Sequence, residues 1–204
     1  MSGLRQKQKA HRHDRILEAA AELFREFGYE AVKMEAIAAA AEVSIGTIYN
    51  YYQNKGDLLV AIVALEVHEV LKAGDTVIAQ PPQSAEKAVD ALVGGYVEHS
   101  LHYLSKEMWR QALAISTQQP ASPFGETFMD LDTALARQIC GLIEKLQALR
   151  LVSAEADSRS LGEMLFNNTN MNFIAFVKTE AMSIPELRAT LRRQHRALIQ
   201  GWKP

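Results

Sequence analysis

The sequence predicts an all-α protein: an N-terminal three-helix unit containing a helix-turn-helix, followed by a larger helical bundle, about nine helices in all. Three observations predict this. Apolar residues recur at i, i+4 and i+7 from Ile16 almost to the C-terminus. Helix starts and stops punctuate that pattern at Gly28, Ser44, Asn54, Ser84 and Ser183. No alternating apolar and polar run bounded by turns is present, so no strand is expected. No fixed-period repeat or low-complexity tract suggests an array or a disordered chain.

The elements follow in order. Ile16, Ala20, Leu23, Phe24 and Phe27 form one face of a first helix, and Gly28 stops it. Met34, Ile37, Ala38 and Ala41 mark a shorter second helix, and Ser44 can cap a third. A fourth starts near Asn54, with Asp57 in its first turn, and runs to about Gly74. Gly74 to Ser84, with Pro81 and Pro82, is the clearest break. A helix after Ser84 carries Ala85, Ala88, Val89, Leu92, Tyr96 and Val97 on one face; another spans about Lys106 to Gln118. Phe128, Leu131, Leu135, Ile139, Leu142 and Leu146 mark the next. Two more, roughly 154–178 and 183–201, complete the chain; Ser183 and Glu186 have capping-box spacing, with Pro185 in the first turn. The expected division is a domain over 1–56, with a basic N-terminal arm, and a larger helical domain over 57–204.

Composition narrows the function. A net charge of −2 argues against a generic polyanion binder, so any nucleic-acid role must rest on a local patch. The single cysteine, Cys140, permits no intramolecular disulfide and no thiolate zinc cluster, and reads as a small apolar helix residue. The first fifteen residues have no apolar run of the signal-peptide kind, and Leu58–Leu65 is too short to cross a bilayer. A cytoplasmic protein with no membrane partner is expected.

The informative stretch is Ser44 to Lys55, SIGTIYNYYQNK, part of a run without carboxylates from Val43 to Asp57. At about 100° per residue, Ile48 and Tyr52 fall within about 40° of each other, flanked by Ile45 and Tyr51 on the side expected to be buried. Gly46, Tyr49, Asn50 and Gln53 point away, with Thr47 at the edge. The connection Glu42-Val43-Ser44 forces a steep crossing, with Ala38, Val43 and Ile48 inside the corner. This is a helix-turn-helix whose second helix can enter a major groove. Tyr52 reads as packing; Tyr49 and Asn50, exposed on a surface without acids, suit phosphate or base contacts. Arg5, Lys7, Lys9 and Arg12 precede the first acid, Asp14, and read either as a solvated tail or as an arm lying along DNA.

The segment RILEAAAELFREFGYEAVKMEAIAAAAEVSIGTIYNYYQNKGDLL resembles the N-terminal DNA-binding domain of TetR-family transcriptional repressors over about residues 13–60. The resemblance implies base or phosphate contacts from Gly46, Thr47, Tyr49 and Asn50, and a phosphate contact from Lys55; Ser44 and Tyr51, on the same helix, are further DNA-binding candidates. It implies a DNA-binding domain over 1–56 and an effector-binding and dimerisation domain over 57–204. It implies a homodimer on a pseudo-palindromic double-stranded operator, released by a small-molecule effector, with no cofactor. Two departures stand out. Lys33 replaces the usual Ser or Thr cap of the second helix and cannot accept an amide hydrogen bond. Glu42 replaces the usual turn glycine, where a positive φ would strain it.

Outside that segment, aromatic and polar residues on helices expected to converge suggest an effector pocket near Tyr96, His99, Trp109, Phe128 and Asn168. Stripes of Leu161, Leu165 and Asn168, and of Leu187, Leu191 and Leu198, suggest dimerisation through the last two helices. Asn167, Asn168, Asn170 and Asn172 crowd one helix, which interhelical hydrogen bonding, ligand binding or solvent exposure would each explain. His99 and His102, i and i+3 on one expected helix face, have metal-ligand spacing but no third ligand in sight, so no metal site is assigned. The rival readings are a helical-bundle enzyme or metal carrier and a protein-binding adaptor. No Glu-x-x-His, Gly-rich phosphate loop or nucleophile elbow supports catalysis, so no catalytic residue is assigned and no enzyme is expected. The acid-free face speaks against an adaptor.

Overall fold

A computed structural model describes residues 2–203, with side chains described for Lys9 and from His11 onward. Among the described residues every regular element is α-helical: α1 Ser2–Phe27, α2 Met34–Ala40, α3 Ile45–Tyr49, α4 Lys55–Ala79, α5 Ala85–His99, α6 Lys106–Gln118, α7 Pro123–Ala148, α8 Ser158–Lys178 and α9 Ile184–Gln200. The expected fold class is found.

The helix ends follow local chemistry. Ser44, Ser84, Ser105, Asp157 and Ser183 each accept an amide hydrogen bond from the first turn of the helix they cap. Ser183 and Glu186 complete the expected capping box. Gly28, at φ 82°, closes α1 with its amide on the Phe24 carbonyl.

Several boundaries differ from expectation. α1 starts ahead of the expected face at Ile16 and takes in the basic segment; the Arg5 and Lys7 side chains lie outside the described residues. α4 continues through Gly74 to Ala79. A Cβ at Gly74 would stand 2.7 Å from Leu92 Cδ1 and nearer still to Gln138, so this glycine serves close packing rather than a helix stop. α5 ends at His99, with Ser100 as C-cap, so His99 and His102 do not share a helix face.

The chain forms two compact units. The first takes residues through Leu65 together with His102–Phe128; the second takes Glu66–Leu101 and Met129 onward. In the first, Ile16, Ala20 and Phe24 of α1, Ile37 of α2, Ile48 of α3 and Leu58, Leu59 and Ile62 of α4 are buried, as are Met108 and Ala112 of α6. Arg25 donates to the His102 carbonyl at 2.8 Å, which ties α1 to the segment before α6. In the second unit, α9 packs on both α5 and α8. Leu161, Leu165, Leu187 and Leu191 are buried inside the single chain. They are therefore not the free stripes expected at an assembly surface, because the chain covers them itself.

Candidate nucleic-acid interface

α2 and α3 are joined by four residues. Ala41 ends α2 in αR geometry, Glu42 takes φ 50°, and Val43 returns its amide to the Ala38 carbonyl at 3.0 Å. This is the left-handed turn in which glycine would be at ease. Lys33 stands at the N-cap of α2 and makes no side-chain cap bond, as its chemistry requires. Arg15 of α1 reaches the turn: its guanidinium donates to the Ala41 carbonyl and, at 2.9 Å, to the Glu42 carboxylate.

α3 is short, so only part of its inner face packs. Ile48 and Tyr52 are buried, as the wheel predicts. Ile45 is 36% exposed and Tyr51 only half-buried, so the expected burial of that flank is corrected. The Tyr52 hydroxyl is buried without a hydrogen-bond partner among the described residues, and burial, with Asp14 and Tyr51 nearby, pushes its pKa up. Ser44 Oγ accepts the Thr47 amide at 3.1 Å and shares a 2.8 Å hydrogen bond with Thr47 Oγ1. Both hydroxyls lie on the outer side of the corner. Among the described residues, its chain neighbours and the backbone of α3 aside, a Cβ built on Gly46 would find Ser44 Oγ at 3.9 Å and nothing nearer. Tyr49 is 49% exposed, Asn50 is exposed at the C-cap, and neither side chain is hydrogen-bonded among the described residues. Tyr51 directs its hydroxyl to the Lys9 carbonyl at 3.4 Å, and Lys9 Nζ stands 5.9 Å from its ring centre.

The two carboxylates bordering this surface are occupied. Glu42 is held by Arg15. Asp57 accepts the Gln53 amide at 2.7 Å, while its own amide binds Asn54 Oδ1 at 3.1 Å. The start of α4 is thus capped as the sequence suggests. Lys55 Nζ donates to the carbonyls of Tyr29 and Glu30 at 2.8 and 3.0 Å and lies 4.7 Å from the Tyr29 ring centre. Sequence reading assigned Lys55 to phosphate and missed this fastening, which joins residues 25 and 26 positions apart.

The five residues expected at an effector pocket fall in two places. Trp109 and Phe128 are buried in the first unit, Phe128 stacked on Phe124 at 6.3 Å. Tyr96, His99 and Asn168 belong to the second. Tyr96 donates to Gln138 Oε1 at 2.5 Å, and Gln138 Nε2 donates to the Leu71 carbonyl and to Asp75. His99 bonds Glu66 through Nδ1 and lies 3.1 Å from Glu69 through Nε2. Asn168 and Asn172 donate to Gln194 Oε1 of α9 at 2.7 and 2.9 Å, so part of the asparagine run bonds across a helix pair within the chain. No group of three or more His, Cys, Asp or Glu able to hold a metal occurs among the described residues. Nor, among them, is any helix long and apolar enough to cross a membrane.

Residues 16–62 match the family model described as bacterial regulatory proteins, tetR family. Over these residues the chain is similar to TetR-family regulators. One relative is the HTH-type transcriptional repressor KstR of Rhodococcus jostii, 43% identical over 63 residues. That match covers 31% of this chain and 30% of KstR, so it spans under a third of either protein. The similarity in fold extends further. A crystal structure of a TetR-family regulator from Mesorhizobium loti superposes with a TM-score of 0.75 at 18% identity, covering 96% of this chain and 98% of that one. FadR from Bacillus subtilis, in complex with stearoyl-CoA, superposes with a TM-score of 0.69 at 20% identity, covering 93% and 98%.

Proposed function

We propose that the chain is a homodimeric DNA-binding transcriptional regulator, a repressor released from a pseudo-palindromic operator by a small-molecule effector. The observation that carries this reading is the outer side of α3. Tyr49 and Asn50 are exposed there and unbonded among the described residues, Gly46 opens the backbone, and both bordering carboxylates are tied to groups of the chain itself. Such a surface offers hydrogen-bonding groups to bases and groove walls with little repulsion of phosphate. Ser44 and Thr47 face the backbone with hydroxyls, Tyr51 holds the basic end of α1 beside the groove, and Lys55 sets the start of α4, whose dipole favours phosphate.

Residues 1–56 serve DNA binding and residues 57–204 serve effector binding and dimerisation, a division of labour rather than of packing. The dimer forms through the outer sides of α8 and α9. Met164 and Met171, 52% and 66% exposed, stand two turns apart on α8, and Leu198 of α9 is half-buried. The effector acts in the second unit, near Tyr96, His99 and Asn168. An effector with competing acceptors would draw the Tyr96 hydroxyl and the Asn168 amide from Gln138 and Gln194 and so favour one arrangement of the helices over another. FadR's stearoyl-CoA makes an acyl-CoA the first effector class to test.

The test is selection of bound duplexes from a random double-stranded pool by the full chain. Enrichment of two inverted half-sites about one helical turn apart supports the reading. Retention of DNA without sequence enrichment, or no retention, overturns it.

A further inference from the structure

A cavity of about 370 Å³ opens between α5 and α9 in the second unit, away from the DNA-facing surface of α3. Its walls carry Lys87, Arg188, Arg192 and Arg196 against only Glu86 and Asp90. Each carboxylate is shared. Asp90 accepts from Arg192 Nε and Nη2 at 3.1 and 2.9 Å and from Arg188 Nη2 at 3.3 Å. Glu86 accepts from Arg196 Nε at 2.9 Å and lies 3.7 Å from Lys203 Nζ. Glu98 binds the other end of Arg188. With Lys203 and Glu98 included, five cations meet three side-chain carboxylates among the described residues, a surplus of two positive charges. His195, also in the wall, adds none near neutrality, because burial holds it down at about 4.

The surplus is directional. Arg188, Arg192 and Arg196 are one turn apart and project from one face of α9. Arg196 spends only Nε on Glu86, so both its Nη groups remain unbonded among the described residues, as do Arg192 Nη1 and Lys87 Nζ. Gly94 lets the Arg188 guanidinium lie against α5, where a Cβ would stand 2.5 Å from Nη2. Three guanidinium forks beside a partly enclosed cleft repel one another, and a multiply charged anion relieves that repulsion while filling the unused donors.

We propose that the α5–α9 groove is a binding site for a small phosphate-bearing dianion or polyanion, separate from the DNA-facing surface. The surplus of two charges sets the ligand's minimum charge, and the cavity has room for a pyrophosphate.

The experiment uses the full chain with inorganic pyrophosphate as probe. Calorimetric titration and thermal unfolding are compared with sodium chloride at matched ionic strength. The expected result is saturable binding of one pyrophosphate per chain, with stabilisation that chloride does not reproduce. Lys87→Gln removes a side chain with no bond among the described residues, so it leaves the fold in place. It should weaken pyrophosphate about tenfold, the loss expected of one charge-assisted hydrogen bond. Lys87→Gln combined with Arg196→Gln should abolish binding, and the single variant decides if the double one unfolds. Stabilisation that follows ionic strength alone overturns the proposal. So does equal affinity in wild type and Lys87→Gln, which would mark an adventitious ion only or one seated on the DNA-facing surface. No DNA is present, so the result is independent of the regulatory reading.

Discussion

Arg15 closes the helix-turn-helix corner from outside it, donating to the Ala41 carbonyl and to the Glu42 carboxylate 27 residues away. The two bonds differ in worth. Glu42 is mostly exposed, and such surface pairs contribute about 0.2–1 kcal/mol. Its φ of 50° costs about 1–2 kcal/mol in a non-glycine residue. Glu42→Gly should therefore leave stability unchanged or raise it by up to about 1 kcal/mol. Arg15→Ala frees the carbonyl at the end of α2 and should cost about 1–2 kcal/mol. Denaturant unfolding of both variants checks the order. A larger loss in Glu42→Gly would mean that the ion pair, not the backbone, governs the corner.

Gly46 separates folding from binding. Among the described residues, its chain neighbours and the backbone of α3 aside, the nearest atom to a Cβ there is Ser44 Oγ at 3.9 Å. Alanine in a helix is favoured over glycine by about 0.5–1 kcal/mol, so Gly46→Ala should hold or raise the melting temperature. The methyl group would stand between α3 and the groove, and operator affinity should fall at least about tenfold, as a lost close approach implies. Unchanged affinity by fluorescence anisotropy would show that this face does not approach DNA.

Lys55 and Asn50 should differ in kind. Lys55 fastens the Tyr29–Glu30 turn, so Lys55→Ala should lower stability by about 1–2 kcal/mol as well as weaken binding to every duplex. If its remaining proton meets a phosphate, the slope of log K against log salt should also fall by about one unit per subunit. Asn50→Ala should leave stability and slope nearly unchanged while costing roughly 1–3 kcal/mol per half-site at one base position. Anisotropy across a salt series with base-substituted half-sites separates the two. An equal loss on all sequences for Asn50→Ala would make it a positioning residue.

The fold was legible because its signals are local. Ser44 and Ser183 announce helix starts within four residues, and the burial of Ile48 and Tyr52 follows from one turn of periodicity. The α2–α3 corner could be read for the same reason: its parts are contiguous. What escaped depends on residues far apart in the chain. Lys55 on the Tyr29 carbonyl, Arg15 on Glu42 and Gln138 against Gly74 are invisible to periodicity. A stripe such as Leu161, Leu165, Leu187 and Leu191 says that a face is covered, not by what. Ile45 was misplaced because α3 is too short for its whole inner face to meet a partner. The α5–α9 groove escaped because neither helix alone shows that five cations will face three acids.

His195 should make the second unit sensitive to acid. It is buried on α9, with Nε2 3.3 Å from Thr169 Oγ1. Burial lowers its pKa to about 4, against smaller raising effects from Asp90 and the Leu165 carbonyl. In the unfolded chain the ring takes its proton near the ordinary value of about 6.5. Between those values the unfolded state binds the extra proton, so stability is fully present above about pH 6.5 and declines as the pH falls toward 4. The shift corresponds to a loss on the order of 3 kcal/mol across that window. Urea unfolding at pH 7.5, 6, 5 and about 4 should show the decline, and His195→Gln should flatten it while lowering the plateau. A variant that keeps the wild-type pH profile would place the acid sensitivity in another group.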